Sequence, residues 1–348
     1  MVDVKSIRRL YFLLSLSLYG REEVAELIVV SLMARQPILL LGEPGTGKTT
    51  MVERLSKILR LKYFYVLLTP EVTPAQVFGP VSLPDLQKGV LRYNTEGFLP
   101  SAEIIFIDEI YKGGHLANFL LDIMQNRRFI NGNTVQLVPW KLFVGASNEP
   151  PIDDTLMALH DRWGAIVPLR SLFSGDNVSI PPRFVIPEKL SLFLREEGTV
   201  EELDIDFDSV LSLISNMRFS NVKFSNVNER RYLAGLRLAG AYSLLFNSPI
   251  NDYIINLVNI YLYRTEDEIM QRKREFLEKY FSNNSRIVDE VNGLIEEAIS
   301  IWKEGLEGER KVWLDNAQKT INKLREDGSM PSRHLWLRLL PYYSLILS

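Results

Sequence analysis

The chain has 348 residues, 40 basic against 43 acidic side chains and a formal net charge of -3; 46% of it is hydrophobic and 24% charged. That length suits two or three domains with a sizeable core, and the charge balance gives no electrostatic case for duplex nucleic acid as the main partner. The absence of cysteine rules out disulfides and thiolate chemistry, and three scattered histidines (His115, His160, His334) make a transition-metal enzyme a poor fit.

In chain order, helical periodicity predicts amphipathic helices over 3–19 and 21–35, broken at Gly20. The first contains YFLLSLSLYG behind Ile7-Arg8-Arg9, which has the look of a signal core. Arg21-Glu22-Glu23 follows instead of a small-residue cleavage site. No run of about 18 uncharged apolar residues occurs, so a cytoplasmic chain with no membrane span is expected.

A strand over 37–41 then runs into Gly42-Glu43-Pro44-Gly45-Thr46-Gly47-Lys48-Thr49-Thr50, a complete G-x-x-x-x-G-K-[ST]. Glycines let the backbone close around an anion with its N–H groups inward, and the helix predicted over 48–60 adds the positive end of its dipole. Lys48 is expected to reach the outer phosphates of a nucleoside triphosphate and the Thr49 hydroxyl to ligate Mg2+.

A short strand at 63–68 precedes residues 70–100, whose five prolines and three glycines make them too long for a plain connector and mark an insertion. The strand EIIFIDEI (103–110) ends in Asp108 and Glu109. Ligands of open α/β sheets gather at such strand ends, so Asp108 is a candidate magnesium ligand and Glu109 a general base for an attacking water. Two solvated acids are the plain alternative.

After Gly113-Gly114 a helix is predicted over 115–129. A hairpin follows over 129–140, turning at Asn131-Gly132. The strand over 141–148 ends on Asn148, whose amide can hydrogen-bond water and γ-phosphate together; alone, an asparagine there also suits a turn. Arg162 in HDRW precedes a fifth strand over 165–169. Its guanidinium could point out of its own subunit toward a neighbour's nucleotide, or simply be a surface arginine. Strands alternating with helices indicate an α/β fold with a parallel sheet covered on both faces.

From 171 the pattern is helical: a proline-rich connector (180–187), then helices near 187–197, 206–217, 228–246 and 250–262. Arg230 and Arg231 in NERRY open one of these, and one of them could reach back to the phosphates. Residues 266–327 are charge-dense and read as an elongated helical hairpin turning near Gly305–Gly308. The apolar tail RHLWLRLLPYYSLILS is expected to fold back onto another element.

The succession of phosphate loop, IIFIDE, GASNEP, HDRW and NERR resembles the AAA+ ATPases, specifically the MoxR family and nearest its RavA branch. TPAQVFGPVSL, GFLPSAEIIFIDEIYKGG, RRFINGNTVQLVPWKLFVGASNEP and VNERRYLAGLRLAGAY carry the likeness, which spans roughly 5–265. It implies an AAA+ αβα sandwich with a five-stranded parallel sheet over 1–170, an all-helical lid over 171–265 and a helical extension over 266–348. It also implies a hexameric ring with nucleotide between subunits and Arg162 acting in trans. Arg230 rather than Arg231 becomes the second-sensor arginine, contacting the γ-phosphate from the lid. Inserts near 79–98 and 127–140 are implied to face a central pore. One departure is Asn126 before Arg127, where related proteins usually carry Glu.

The function implied is ATP hydrolysis that remodels or activates protein partners, together with a von Willebrand factor A domain protein. Two alternatives stay open: a DNA-working motor related to replicative helicases, and a magnesium-chelatase-like subunit. The hairpin tip, Asn131 to Gln136, carries no charge, which is a poor surface for tracking phosphates, so nucleic acid is not the expected partner.

Overall fold

A computed structural model describes residues 4–16, 21–43, 45–151, 153–169, 205–219, 222–224, 227–282, 285–304 and 306–347. Helices α1 (Val4–Leu16) and α2 (Glu22–Ala34) precede strand β1 (Ile38–Gly42), helix α3 (Lys48–Leu59) and strand β2 (Tyr63–Leu67). The insertion holds two short helices, α4 (Pro74–Phe78) and α5 (Leu83–Leu86), each opened by proline in its first turn. Then come β3 (Ile104–Asp108), α6 (Ala117–Asn126), β4 (Arg128–Asn131), β5 (Thr134–Leu137), β6 (Leu142–Ser147), α7 (Asp154–His160) and β7 (Ala165–Leu169).

Five strands form one parallel sheet in the order β2-β3-β6-β1-β7. Ile104–Ile107 and Leu142–Ser147 are buried throughout, as are Ile38–Leu41. Such unbroken apolar runs are what a parallel sheet covered on both faces requires. Because all strands run the same way, their C-terminal ends bring Gly42, Asp108 and Ser147 to one edge of the sheet. The αβα sandwich expected from the sequence is the observed core.

The hairpin β4–β5 forms, one residue out of the expected phase. Asn131 pairs with Thr134, so the turn is Gly132-Asn133. Gly132 takes a left-handed φ of +61°, and the Asn131 side chain is buried, bonding the backbone of Tyr93 in the insertion (2.7 and 2.9 Å). Asparagine here latches hairpin to insertion rather than making the turn.

Beyond the sheet lie α8 (Phe207–Ser215), α9 (Glu229–Phe246), α10 (Asp252–Ile260), α11 (Glu266–Phe281), α12 (Ser285–Glu304), α13 (Glu307–Asp327) and α14 (Met330–Leu347). The connector at 180–187, the helix near 187–197, Gly20 and Gly305 fall outside the described residues. The expected two-helix hairpin over 266–327 is corrected: three helices span it, because the charged helical period is interrupted at Ser282-Asn283-Asn284-Ser285, residue types that favour helix ends over interiors. The apolar tail becomes α14, which closes a bundle with α12 and α13 around Trp313, Ala317, Leu335 and Leu339. It also packs on α1, and Leu337 joins the main core.

Candidate active site

Gly42, at the end of β1, lies so close to β7 that a Cβ there would sit 2.0 Å from the Leu169 carbonyl oxygen, so only glycine fits. Gly47 precedes α3 with φ +83° and no side-chain cap. The first-turn N–H groups of α3 are therefore left for an external acceptor. Thr46 Oγ1 donates to Glu43 O (3.0 Å), Gly45 takes φ +79°, and Thr49 and Thr50 are half-buried in the first turn. Pro44 lies outside the described residues.

Lys48 is buried, and its Nζ donates to Gly42 O (2.5 Å), Glu43 O (3.2 Å) and Asn148 Oδ1 (3.1 Å). The amide of Asn148 donates in turn to Glu109 Oε1 (2.6 Å). One chain of bonds thus links the ends of three strands: Lys48 after β1, Asn148 after β6 and Glu109 after β3. Glu109 itself sits in the left-handed region (φ +52°), which costs a non-glycine residue about 1 kcal/mol and marks a position held by its surroundings. Its N–H donates to Asp108 Oδ1 (3.0 Å), and Lys112 Nζ lies 3.2 Å from its other oxygen.

Burial sets the electrostatics here. It pulls the Lys48 ammonium below its usual value, against the upward pull of Asp108 and Glu109. It lifts the Asp108 carboxyl above the ordinary carboxylate range, partly offset by the Glu109 N–H and by Lys48. Both groups are partly desolvated, so a ligand of matching charge is felt strongly. An ammonium, a row of uncapped N–H groups, an acid and a threonine hydroxyl are the groups that a magnesium–triphosphate needs.

The two arginines make other contacts. Gly164 N donates to Pro37 O (2.8 Å), level with the start of β1. Arg162, two residues earlier, donates from its guanidinium to Ala158 O in α7. Burial lowers its pKa, and the charge of Arg230 lowers it further. Arg230 is exposed. Arg231, by contrast, is 2% exposed and spends its guanidinium on Leu262 O (2.8 Å) and His160 O (3.2 Å), which fastens α9 to the end of α7. Within the chain, then, Lys48, Asp108, Glu109 and Asn148 come together, while Arg162 bonds α7 and Arg230 is exposed at the start of α9.

The sequence reading missed Lys112 and a relay behind the site. Trp163 Nε1 donates to the Tyr111 hydroxyl (3.1 Å), which is 2.6 Å from His160 Nδ1, while His160 Nε2 is 2.9 Å from Arg264 O. A neutral His160 protonated at Nε2 satisfies all of these bonds. Burial holds its pKa down at about 4. The only sequence signal was that Tyr111 follows IIFIDE and that His160 and Trp163 flank Arg162.

Residues 5–172 match the family model described as the MoxR domain of MoxR-vWA-beta-propeller ternary systems. The uncharacterized protein MJ0812 of Methanocaldococcus jannaschii is 34% identical over 162 residues, 46% of this chain and 43% of that protein. Structural protein ORF618 of Acidianus two-tailed virus is 34% identical over 255 residues, 67% of this chain and 40% of the other. Chaperone MoxR1 of Mycobacterium tuberculosis is 25% identical over 149 residues, 42% and 39% respectively. The chain spans about two fifths of the length of these curated relatives. A solved structure from Cytophaga hutchinsonii, described as that of a candidate ATPase, superposes with a TM-score of 0.54 over 78% of this chain and 94% of that one. At 16% identity it bears on the fold alone. Residues 5–172 of the chain thus carry a MoxR-type AAA+ domain.

Proposed function

We propose that the chain hydrolyses ATP to ADP and phosphate and uses the energy to remodel or activate protein partners. The observation that carries this reading is the bonded chain Lys48–Asn148–Glu109 at the mouth of the phosphate loop, with Asp108 beside it. Residues Gly42 to Thr50 would cradle the phosphates, with Lys48 on the outer ones. Thr49 and Asp108 would hold Mg2+, which when bound neutralises charge on the phosphate oxygens. Glu109 accepts a proton from the attacking water, and Asn148 orients that water while holding Lys48 and Glu109 in register.

A ring, hexameric by family likeness, is part of the proposal, with Arg162 serving a neighbour's nucleotide; its guanidinium bonds the backbone of α7 rather than the phosphate loop of its own subunit. Arg230, exposed at the start of α9, is proposed as the second-sensor arginine that contacts the γ-phosphate from the lid. We take 1–170 as the core, 171–265 as the lid and 266–348 as the extension, and this extension supports a place near the RavA branch. A partner with a von Willebrand factor A domain, alongside a β-propeller protein, follows from the kind of system that the matching family model describes. A DNA-working motor is less well supported, since the hairpin's outer face presents Ile130, Val135 and Leu137, and its cation Arg128 is paired with Asp122 (3.0 Å). No described helix is long and apolar enough to cross a membrane, and a cytoplasmic setting is part of the proposal.

The test is phosphate release by the purified chain with ATP and magnesium, alone and with its partner. A wild-type rate no higher than that of Glu109→Gln under both conditions would overturn the reading.

A further inference from the structure

With no phosphate-loop residue in its lining, a cavity of about 390 Å³ opens where three parts of the chain meet. Its walls come from α1 (Arg8), the end of α9 (Phe246), the end of α13 (Arg325) and the start of α14 (Arg333, Trp336, Leu337). Its lining contains three arginines and no carboxylate. Two acids adjoin the lining in sequence, neither part of it: Asp327 accepts from the hydroxyl and the N–H of Ser329 just before α14, and Glu326 is exposed. Arg8 Nε donates to Leu245 O (2.9 Å), and the Arg325 guanidinium lies 5.6 Å from the centre of the Trp336 ring. The indole N–H of Trp336 is buried without a hydrogen-bond partner. A buried donor left unpaired costs roughly 1–3 kcal/mol, so the wall is short of an acceptor.

Helix dipoles do not account for so much positive charge. Two helices, α9 and α13, end at this cavity, each with a left-handed cap, Asn247 and Gly328. Each of these ends supplies about -0.5 of a charge and the start of α14 about +0.5, so roughly -0.5 faces three guanidiniums and more than two positive charges remain. A phosphate monoester carries about -1.5 to -2 at neutral pH and only accepts hydrogen bonds from guanidinium and indole groups. Phe246, Leu337 and the Trp336 ring supply apolar wall for an organic part, and the volume lies within the range of small-ligand sites.

We propose that this junction is a second ligand site, taking a small organic phosphate of about mononucleotide size, separate from the phosphate loop. Its ligand ties the N-terminal helix, the lid helix and the C-terminal bundle together, so occupancy stiffens the molecule across those three parts. The site does not depend on the proposed ATPase activity.

The test uses the full chain carrying Lys48→Ala, so that the loop does not contribute, with calorimetric titration of AMP, inorganic pyrophosphate and, as a neutral control, adenosine. The expected result is one AMP bound per chain, weakened about tenfold by Arg333→Ala and again by Arg325→Ala, one charge-assisted contact each. A raised thermal midpoint with AMP is expected to accompany binding. Pyrophosphate binding as tightly as AMP would assign recognition to the phosphate alone, and weaker pyrophosphate would assign part of it to the apolar wall; both support the site. Adenosine binding as well as AMP, AMP binding that both arginine variants leave unchanged in a folded chain, or no AMP binding at millimolar concentration would each overturn it. Arg333 is exposed, so its variant keeps the test valid if Arg325→Ala fails to fold.

Discussion

Lys48, Asn148 and Glu109 each make a bond that their neighbour in the chain depends on, so their substitutions separate binding from turnover. Lys48→Ala removes the ammonium that faces the phosphates and also unpairs Asn148 Oδ1. Nucleotide binding, measured with a fluorescent ATP analogue, is expected to fall below detection. Glu109→Gln keeps shape, and its amide oxygen still accepts from Asn148 Nδ2, so binding persists while turnover drops about 10²- to 10⁴-fold with loss of the base. A normal hydrolysis rate in Glu109→Gln would remove Glu109 from the base role. At this scale the phosphate loop and Asp108 were legible because their chemistry dictates residue type at fixed spacing. The left-handed backbone of Glu109 was not, since a motif specifies residue types and not dihedrals. The adjacent arginines were told apart only by the family resemblance: one helix turn exposes Arg230 and buries Arg231, and the packing partners of α9 decide which.

Elements were legible where burial is simple and obscure where packing among helices decides. The strand Ala165–Leu169 was read to the residue because a fully buried parallel strand is a plain apolar run between polar ends. The extension was misdivided because charged helices share one period whether they form two elements or three, and α14 is defined by what it packs on. The join between α7 and the lid, invisible in sequence, carries its own prediction. His160 is neutral in the folded chain with a pKa near 4, against about 6.5 unfolded. Between those values the unfolded chain binds the extra proton, so stability rises with pH through that window and is lost as pH falls from 6.5 toward 4. The full span is worth at most about 3 kcal/mol. Arg231, Arg264 and Asp161 face the ring, and the two arginines reinforce its neutrality. Thermal midpoints from pH 7 to 4.5 should fall more steeply for the wild type than for His160→Gln; parallel curves would show that His160 does not titrate here. Within the sheet, Gly42→Ala forces a methyl onto the Leu169 carbonyl and should cost more than about 2 kcal/mol, read as a lowered urea midpoint, by prising β1 from β7.

For the whole molecule the question is which subunit completes the site. The loop, Asp108, Glu109 and Asn148 lie at the C-terminal edge of the sheet, with Lys48, Asn148 and Glu109 hydrogen-bonded in series, whereas the Arg162 guanidinium donates to Ala158 O in α7. In the proposed ring, Arg162 serves the nucleotide of a neighbouring subunit. Arg162→Ala alone should therefore bind ATP with wild-type affinity and hydrolyse it about 10³-fold more slowly, the scale of a missing arginine finger. Lys48→Ala alone should also be inactive, but through lost binding. Mixed in one ring, the two variants complement each other: wherever a Lys48→Ala subunit offers Arg162 to the intact loop of an Arg162→Ala neighbour, one whole site is rebuilt. For a closed ring of randomly mixed equal parts, about a quarter of the interfaces are whole, so roughly a quarter of wild-type turnover is expected if sites fire independently. Mass measurement of the mixed assembly establishes that hetero-rings exist. Hetero-rings with no recovered turnover would count against Arg162 acting in trans.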